Sequence, residues 1–317
     1  MRGKKKIAVV VPAYNESALI GRVIQTMPAY VDRIYVVDDK SRDNTVATVK
    51  NHIKRGDRKG VMLIRLEKNS GVGAAIVRGY RQAAMDGMQV VAVMAGDAQM
   101  DPEDLENILD PVINGKADYV KGNRLFTGEA WRIIPKTRYL RNAFLSLLTK
   151  ISSGYWHLAD SQTGFTAISA DAIKLLPLDR LYPRYGYPNH ILAMLNVFNQ
   201  RVKDVPVRPV YNIGERSGIR LWRVIPSLTW LLFKNFIWRM WQKYVIRDFH
   251  PLVFFYLLAF LLLGASFPLL FRMLLRWYDT NNLPAINTLA FMFTAITGVQ
   301  SLFFAMWFDM DYNKDLH

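Results

Sequence analysis

The chain has 317 residues, enough for one large domain or one domain with an appendage, and enough to bury a sizeable core. It is 51% hydrophobic with a formal net charge of +15, a balance that suits polyanionic partners such as nucleic acid, anionic lipid or phosphorylated substrates. It contains no cysteine, which excludes disulfides, thiolate metal sites and cysteine nucleophiles.

Met1 to Lys6 is basic, but only five apolar residues, Ile7 to Val11, follow before Pro12. That is too few for the apolar region of a signal peptide, so the segment is predicted to lead into a first strand. Strands are predicted at Ile7–Val11, Ile34–Val37, Val61–Leu66, Val90–Met94 and Tyr119–Lys121. Between them apolar residues recur at helical spacing, as in Leu19, Ile20, Val23, Ile24 and Met27, then Val46, Val49 and Ile53. This alternation predicts right-handed βαβ units and an α/β fold whose mostly parallel sheet carries helices on both faces.

Such sheets bind ligands beyond the carboxyl ends of their strands. Four strands in succession send polar or glycine-rich turns there: Pro12-Ala13-Tyr14-Asn15-Glu16, Asp38-Asp39-Lys40-Ser41, Lys68 to Gly73, and Gly96-Asp97-Ala98-Gln99. Just beyond the last, Asp101-Pro102-Glu103-Asp104 supplies a cap, a proline at the first helical position and acids in the first turn. A helix start accounts for Asp101 without any ligand. Asp97 and Gln99 precede the cap. Spaced by one residue, their oxygens can point the same way and share Mg²⁺ or Mn²⁺ with substrate phosphates. One full carboxylate is a weak protein site, so a diphosphate has to complete the shell.

The last third has a different character. Pro251 to Phe271 and Leu283 to Phe308 are 21 and 26 residues without a charge. At 1.5 Å per residue each spans a hydrocarbon core of about 30 Å, and the short connection predicts a transmembrane hairpin. Ahead of it lie Arg216, Arg220, Arg223, Lys234, Arg239, Lys243 and Arg247 with no acid, interleaved with Trp222, Trp230, Trp238 and Trp241. This reads as basic interfacial helices on a lipid bilayer rather than a nucleic-acid surface, and the charge bias puts the N-terminal region on the cytoplasmic face. The predicted domains are 1–214, an α/β domain; 215–248, interfacial helices; and 249–317, two spans and a short tail.

At this point "VVPAYNE", "VVDDKSRDNT", "NSGVGAA" and "GDAQMDP", in order on successive strand ends, carry a resemblance. The chain resembles the family-2 glycosyltransferases of GT-A (Rossmann-like) fold, and within them the dolichol-phosphate mannose synthase and polyprenyl-phosphate glycosyltransferase group. The resemblance covers roughly residues 7 to 220. It implies nucleotide-sugar contacts from Pro12, Tyr14, Asn15, Glu16, Asp38, Asp39 and Gly71, and metal contacts from Asp97 and Gln99. The family pattern usually reads Asp-x-Asp-x-Gln, and here Ala95 replaces the first acid.

Arg124 in "KGNRL" matches an arginine that reaches the donor diphosphate; a solvated loop arginine is the plainer reading. Arg138 and Arg141 in "TRYLRN" resemble arginines for an acceptor phosphate, whose geometry suits their forked donors. In "DSQTGFTAIS" the resemblance puts Asp160 near the reacting centre. A lipid phosphate, with its second pKa near ~6, needs little help from a base, so Asp160 is assigned to positioning. Arg216 and Arg220 in "GERSGIR" stand where the family usually has a lysine on the diphosphate. His190 in "GYPNHIL" is read as structural, beside a helix cap at Asn189.

The resemblance thus implies an inverting glycosyltransferase with Asp97, Asp160 and Arg124 at its centre and Mg²⁺ or Mn²⁺ as cofactor. The donor is a nucleotide-diphosphate sugar of GDP-mannose, UDP-glucose or UDP-GlcNAc type, and the acceptor is polyprenyl or dolichyl phosphate. No nucleic-acid partner is expected, and homo-oligomerisation is left open. The alternatives are another lipid or glycan acceptor, or a membrane-tethered nucleotide-binding protein without catalysis.

Overall fold

The computed structural model describes residues 5–125, 136–208, 210 and 221–317, with the backbone alone at 136–143 and 221–225. The chain forms two compact units. The first runs to Phe236 and takes in Leu316–His317, and the second is Ile237–Asp315.

The first unit is built on β1 (Ile7–Ala13), β2 (Arg33–Asp38), β3 (Val61–Arg65), β4 (Val90–Val93), β5 (Tyr119–Asn123), β6 (Thr166–Ser169) and β7 (Val202–Pro206). They form one sheet in the order β3-β2-β1-β4-β6-β5-β7. The five predicted strands are present with slightly different ends. β6 and β7 were not predicted: one is only four residues, and the other, Val-Lys-Asp-Val-Pro, reads as a polar edge. β6 is antiparallel to both neighbours, and β5 pairs parallel with β7. The carboxyl ends of β1 to β5 therefore share one edge with the beginning of β6.

Helices α1 (Ile20–Thr26), α2 (Thr45–Arg55), α3 (Val72–Met85) and α4 (Leu105–Ile113) follow the first four strands, and α5 (Lys136–Ser153), α6 (Ala170–Leu175) and α7 (Tyr187–Val197) come later. Ile7, Val9 and Val11 of β1 pack with Ile20, Val23 and Ile24 of α1 and with Leu105, Ile108 and Leu109 of α4. Val10 points to the other face. There α3 comes so close that a Cβ added at Gly79 would lie 2.4 Å from a Val10 methyl carbon.

The turns at the ligand edge are tight, and each has a residue in the left-handed region: Asn15 (φ 58°), Lys40 (60°), Gly71 (98°) and Ala98 (57°). At the start of α3, Ala74 N–H donates to Pro183 O at 3.0 Å, and a Cβ on Gly73 would sit 2.3 Å from Tyr182 O. Because the obstacle is backbone, Gly73→Ala is expected to destabilise the first unit by about 1–3 kcal/mol. An unchanged denaturant midpoint would refute that close approach.

The second unit contains α9 (Leu252–Thr280) and α10 (Ala285–Tyr312), two helices long and apolar enough to cross a membrane. They pack along each other, with Phe255 against Phe304 and Phe308 at 6.1 and 5.4 Å between ring centres. The preceding helix, α8 (Leu221–Trp241), continues into a π-helical turn at Gln242–Arg247.

Here the charge reading requires correction. Arg239 and Lys243 do not lie on a headgroup surface. Both are buried, Arg239 making a bidentate pair with Asp309 at 2.7 and 2.9 Å, and Lys243 donating to Asn313 Oδ1 at 2.7 Å. Residue type and spacing look the same for a solvated and a buried arginine, and only the partner on α10 separates them. Lys234 and Arg247 are exposed, as are Trp230 and Trp241. Arg216 and Arg220, and the side chain of Arg223, lie outside the described residues.

Candidate active site

Pro12, Ala13, Tyr14 and Glu16 from the β1 turn, Asp39 from the β2 turn, Val72 and Ala75 from α3, and Ala95, Gly96 and Asp97 from the β4 turn line one cleft. Local hydrogen bonds explain how these turns hold their shape. Asn15 accepts from Arg42 N–H at 2.8 Å and donates its own N–H to Ser41 Oγ at 2.9 Å, so it ties the first turn to the second. Asp39 accepts from the N–H groups of Ser70 and Gly71 at 2.7 and 2.8 Å, which ties the second to the third. Asp38 is buried, with Oδ1 accepting from Ser41 N–H and Oδ2 3.7 Å from Arg65 Nε. Asn15, Asp38 and Asp39 thus shape the cleft through their own contacts, whatever they offer a ligand. Asp43 was missed by the sequence reading and supports Glu16 indirectly, accepting from Ser17 N–H and Thr45 N–H.

Asp97 Oδ1 accepts from Gln99 N–H at 3.1 Å, which closes the turn around Ala98. Asp101 caps the short 3₁₀ turn Pro102–Asp104 by accepting from Glu103 N–H at 3.0 Å, as its sequence context indicated. Glu16 shares the Asp97 cleft. Burial first, then the Asp97 and Asp43 charges, push its carboxyl up to about 7. Near neutrality Glu16 is thus partly protonated, which leaves Asp97 as the ionised carboxylate of the pair.

Among the described residues no cluster of three or more His, Cys, Asp or Glu forms a closed metal site. Asp97 lines the cleft and Gln99 is not among its lining residues, although the Gln99 N–H is held by Asp97 Oδ1. The Asp97 carboxylate is a hard donor that suits Mg²⁺ or Mn²⁺ when an amide oxygen such as that of Gln99, phosphates and water supply the remaining ligands.

Arg124 and Asp160 are brought together across 36 residues. Arg124 donates to Asp160 through its backbone N–H (3.2 Å), Nε (2.7 Å) and Nη2 (3.1 Å). Asp160 is fully buried. Burial would raise its pKa, but the Arg124 charge and hydrogen bonds and the charge of Lys121 outweigh it and hold the carboxyl below its usual range. It is an ionised acceptor already occupied, a poor base and a good anchor.

His190 accepts Tyr182 N–H through Nδ1 at 2.9 Å, and burial lowers it to about 4. It is a structural histidine, as expected. Asn189 is not the cap: Gly186 is, and Asn189 lies inside α7 accepting from Thr149 and Gln162. The proline at the helix start had moved the apparent boundary. The side chains of Arg138 and Arg141, like Arg216 and Arg220, lie outside the described residues.

A mostly parallel α/β sheet with one antiparallel strand, acidic strand-end turns along one edge and an ion pair between Arg124 and the buried Asp160 make this a GT-A-type fold. The chain belongs to glycosyl transferase family 2, whose sequence profile matches residues 8–176, and it is a glycosyltransferase. It is 30% identical over 218 residues to the UDP-N-acetylglucosamine--dolichyl-phosphate N-acetylglucosaminyltransferase of Methanococcus voltae, covering 65% of this chain and 86% of that one. It is 26% identical to the undecaprenyl-phosphate mannosyltransferase of Micrococcus luteus, over 64% and 82% of the two chains. In fold it resembles glucosyl-3-phosphoglycerate synthase of Mycobacterium tuberculosis, solved with Mn²⁺, UDP and product, at TM-score 0.55 and 18% identity over 75% and 81% of the chains.

Proposed function

We propose that the protein transfers a sugar from a nucleotide-diphosphate donor to a polyprenyl or dolichyl phosphate, with inversion, giving a lipid-monophosphate sugar. The observation that carries this reading is the convergence of the Asp97–Gln99 turn and the Arg124–Asp160 pair on one sheet edge, in a chain that ends in two bilayer-length apolar helices. The names of the relatives support the acceptor class; they differ in sugar, so the donor is chosen only by experiment.

In this reading Pro12, Tyr14, Glu16, Asp39 and Gly71 hold the nucleotide, with Asn15 and Asp38 bracing their turns. Asp97 and Gln99 would hold Mg²⁺ or Mn²⁺, which supplies charge stabilisation for the departing diphosphate. Arg124 adds a fixed positive charge on the same side. An acceptor phosphate oxygen attacks the anomeric carbon opposite the diphosphate, so one C–O bond forms as the other breaks and the configuration inverts. The attacking oxygen is already anionic near neutral pH, so no proton has to be removed. Asp160 orients Arg124 instead of acting as a base. Arg138 and Arg141 are assigned to the acceptor phosphate, and Arg216 and Arg220 to the diphosphate.

The proposed organisation is a GT-A domain over 1–214, interfacial helices over 215–248 and two spans over 249–317, with the catalytic domain on the cytoplasmic face. The test is to incubate purified protein in detergent with polyprenyl phosphate, Mg²⁺ or Mn²⁺ and a panel of UDP- and GDP-sugars. Chloroform-soluble sugar from one donor is the expected result. Donor turnover with no lipid-linked product would instead support another lipid or glycan acceptor, and nucleotide binding without donor turnover on any acceptor would support a binding protein without catalysis.

A further inference from the structure

Beneath Arg124 and Asp160 the core holds a second pair of opposite charges that the mechanism above does not use. Lys121, inside β5, is completely buried, and its Nζ donates to the carbonyl of Thr163. The β5–β7 register places Asp204 directly beside it on the adjacent strand. Asp204 Oδ2 accepts from Ala159 N–H at 2.6 Å and from Asn123 Nδ2 at 3.2 Å, while Oδ1 is buried with no hydrogen bond among the described residues. Lys121 and Asp204 therefore grip the two ends of the 159–163 loop that carries Asp160. Asp204 also holds Asn123, the neighbour of Arg124, whose Oδ1 accepts from Leu125 N–H at 2.9 Å.

This arrangement works against folding. Burial brings Lys121 down to about 8, and burial brings Asp204 up to about 6. A depressed lysine disfavours the folded state wherever it is protonated, and a raised carboxyl does so wherever it is ionised, so near neutrality both count against stability. Well-packed apolar residues often replace buried charges with no loss of stability. Charges kept in such a place point to the site above them.

We propose that Lys121 and Asp204 are positioning residues that hold Arg124 and Asp160 in the orientation that receives the donor diphosphate, an inference that rests on the glycosyl-transfer reading. Lys121 and Arg124 balance Asp160 and Asp204, so the four buried or half-buried charges sum to zero. Removing one unbalances the charge around Asp160 and releases one end of its loop, at Thr163 or at Ala159, which lets Arg124 turn away.

The pH profile follows with its sign. Lys121 faces Asp160, Asp204 and Arg124, and Asp204 faces Lys121, Asp160 and Lys150 of α5. Below about 6 Asp204 takes up a proton, and above about 8 Lys121 loses one, so the balance holds between those limits.

The experiment compares Lys121→Met, Asp204→Asn and the double variant with the full-length wild type. It measures melting temperature, donor kcat and KM across pH 5–9, and the affinity for UDP over uridine and for GDP over guanosine. Each single variant is expected to lower kcat about 10- to 100-fold through misplacement of Arg124, and to lose part of the diphosphate preference. The double variant is expected to lose no more than the worse single one, because the residues act as a unit, and to melt no lower than wild type. A merely structural pair would not combine retained stability with lost turnover. Asp204→Asn is also expected to abolish any acid limb near pH 6.

Folded single variants with wild-type kcat and unchanged diphosphate preference would overturn the proposal, as would kinetic losses that simply add. Should Lys121→Met fail to fold, the isosteric Asp204→Asn and its pH profile decide alone. A wild type that binds neither UDP nor GDP would overturn the glycosyl-transfer reading and this inference together, whereas an active wild type with unaffected variants overturns only the inference.

Discussion

Asp160→Asn is expected to lower turnover about 10²- to 10³-fold while the protein still folds, since breaking one side of a buried ion pair costs about 3–5 kcal/mol and part of that reaches the transition state. The geometry explains why a near-isosteric change is so severe. Both Asp160 oxygens face donors: Oδ2 takes Arg124 N–H and Nε, and Oδ1 takes Arg124 Nη2 and Gln162 N–H. An asparagine must turn an amide NH₂ toward one of these donor sets, so either the arginine or the loop loses its partner. Arg124 is then free to pair elsewhere and no longer presents a fixed charge to the diphosphate. Asp160→Glu tests the same point differently, because it keeps the charge and displaces it. Wild-type kcat in Asp160→Asn would show that the pair is only a structural brace. The sign of the pH effect is defined too. The folded-state pKa of Asp160 is depressed, so its contribution to stability is complete above the ordinary carboxylate range and is lost as pH falls through the lower folded value. Asp160 should therefore add no limb to the activity profile near neutrality.

The second large effect belongs to Asp97. In Asp97→Asn, Oδ1 can still accept from Gln99 N–H, so the turn around Ala98 survives, but the carboxylate is gone. Turnover and the increase in nucleotide affinity on adding Mn²⁺ are expected to fall about 10²-fold or more, because a neutral oxygen is a poor substitute for a carboxylate on a hard cation. Calorimetric titration of UDP and GDP with and without Mn²⁺ measures this directly. Ala95→Asp should act in the opposite sense by adding a second carboxylate to the same turn. A wild-type metal response in Asp97→Asn would reduce Asp97 to its turn role.

The candidate site was unevenly legible. The cleft turns could be read because each follows a strand, and parallel strands joined by right-handed crossovers deliver their carboxyl ends to one edge. The pairing of Arg124 with Asp160 could not be read, although both were marked through the family resemblance. It depends on β6 entering antiparallel between β4 and β5, and β6 is a four-residue strand with little periodicity of its own. Lys121 stood in plain sight within the predicted strand Tyr119–Lys121. Its charge had no meaning until Asp204 appeared beside it on an unpredicted strand.

By itself, the sequence determined the α/β alternation, the edge at which ligands would meet the sheet, and the two apolar segments of bilayer length. These follow from local periodicity and from the handedness of the chain, which act over a few residues at a time. Only the tertiary structure decided which charges are neighbours: Arg124 with Asp160, Lys121 with Asp204, and Arg239 turned inward to Asp309 instead of outward to lipid. Those contacts join residues 36 to 83 positions apart, and strand register and helix packing set them, which no spacing within a single segment encodes.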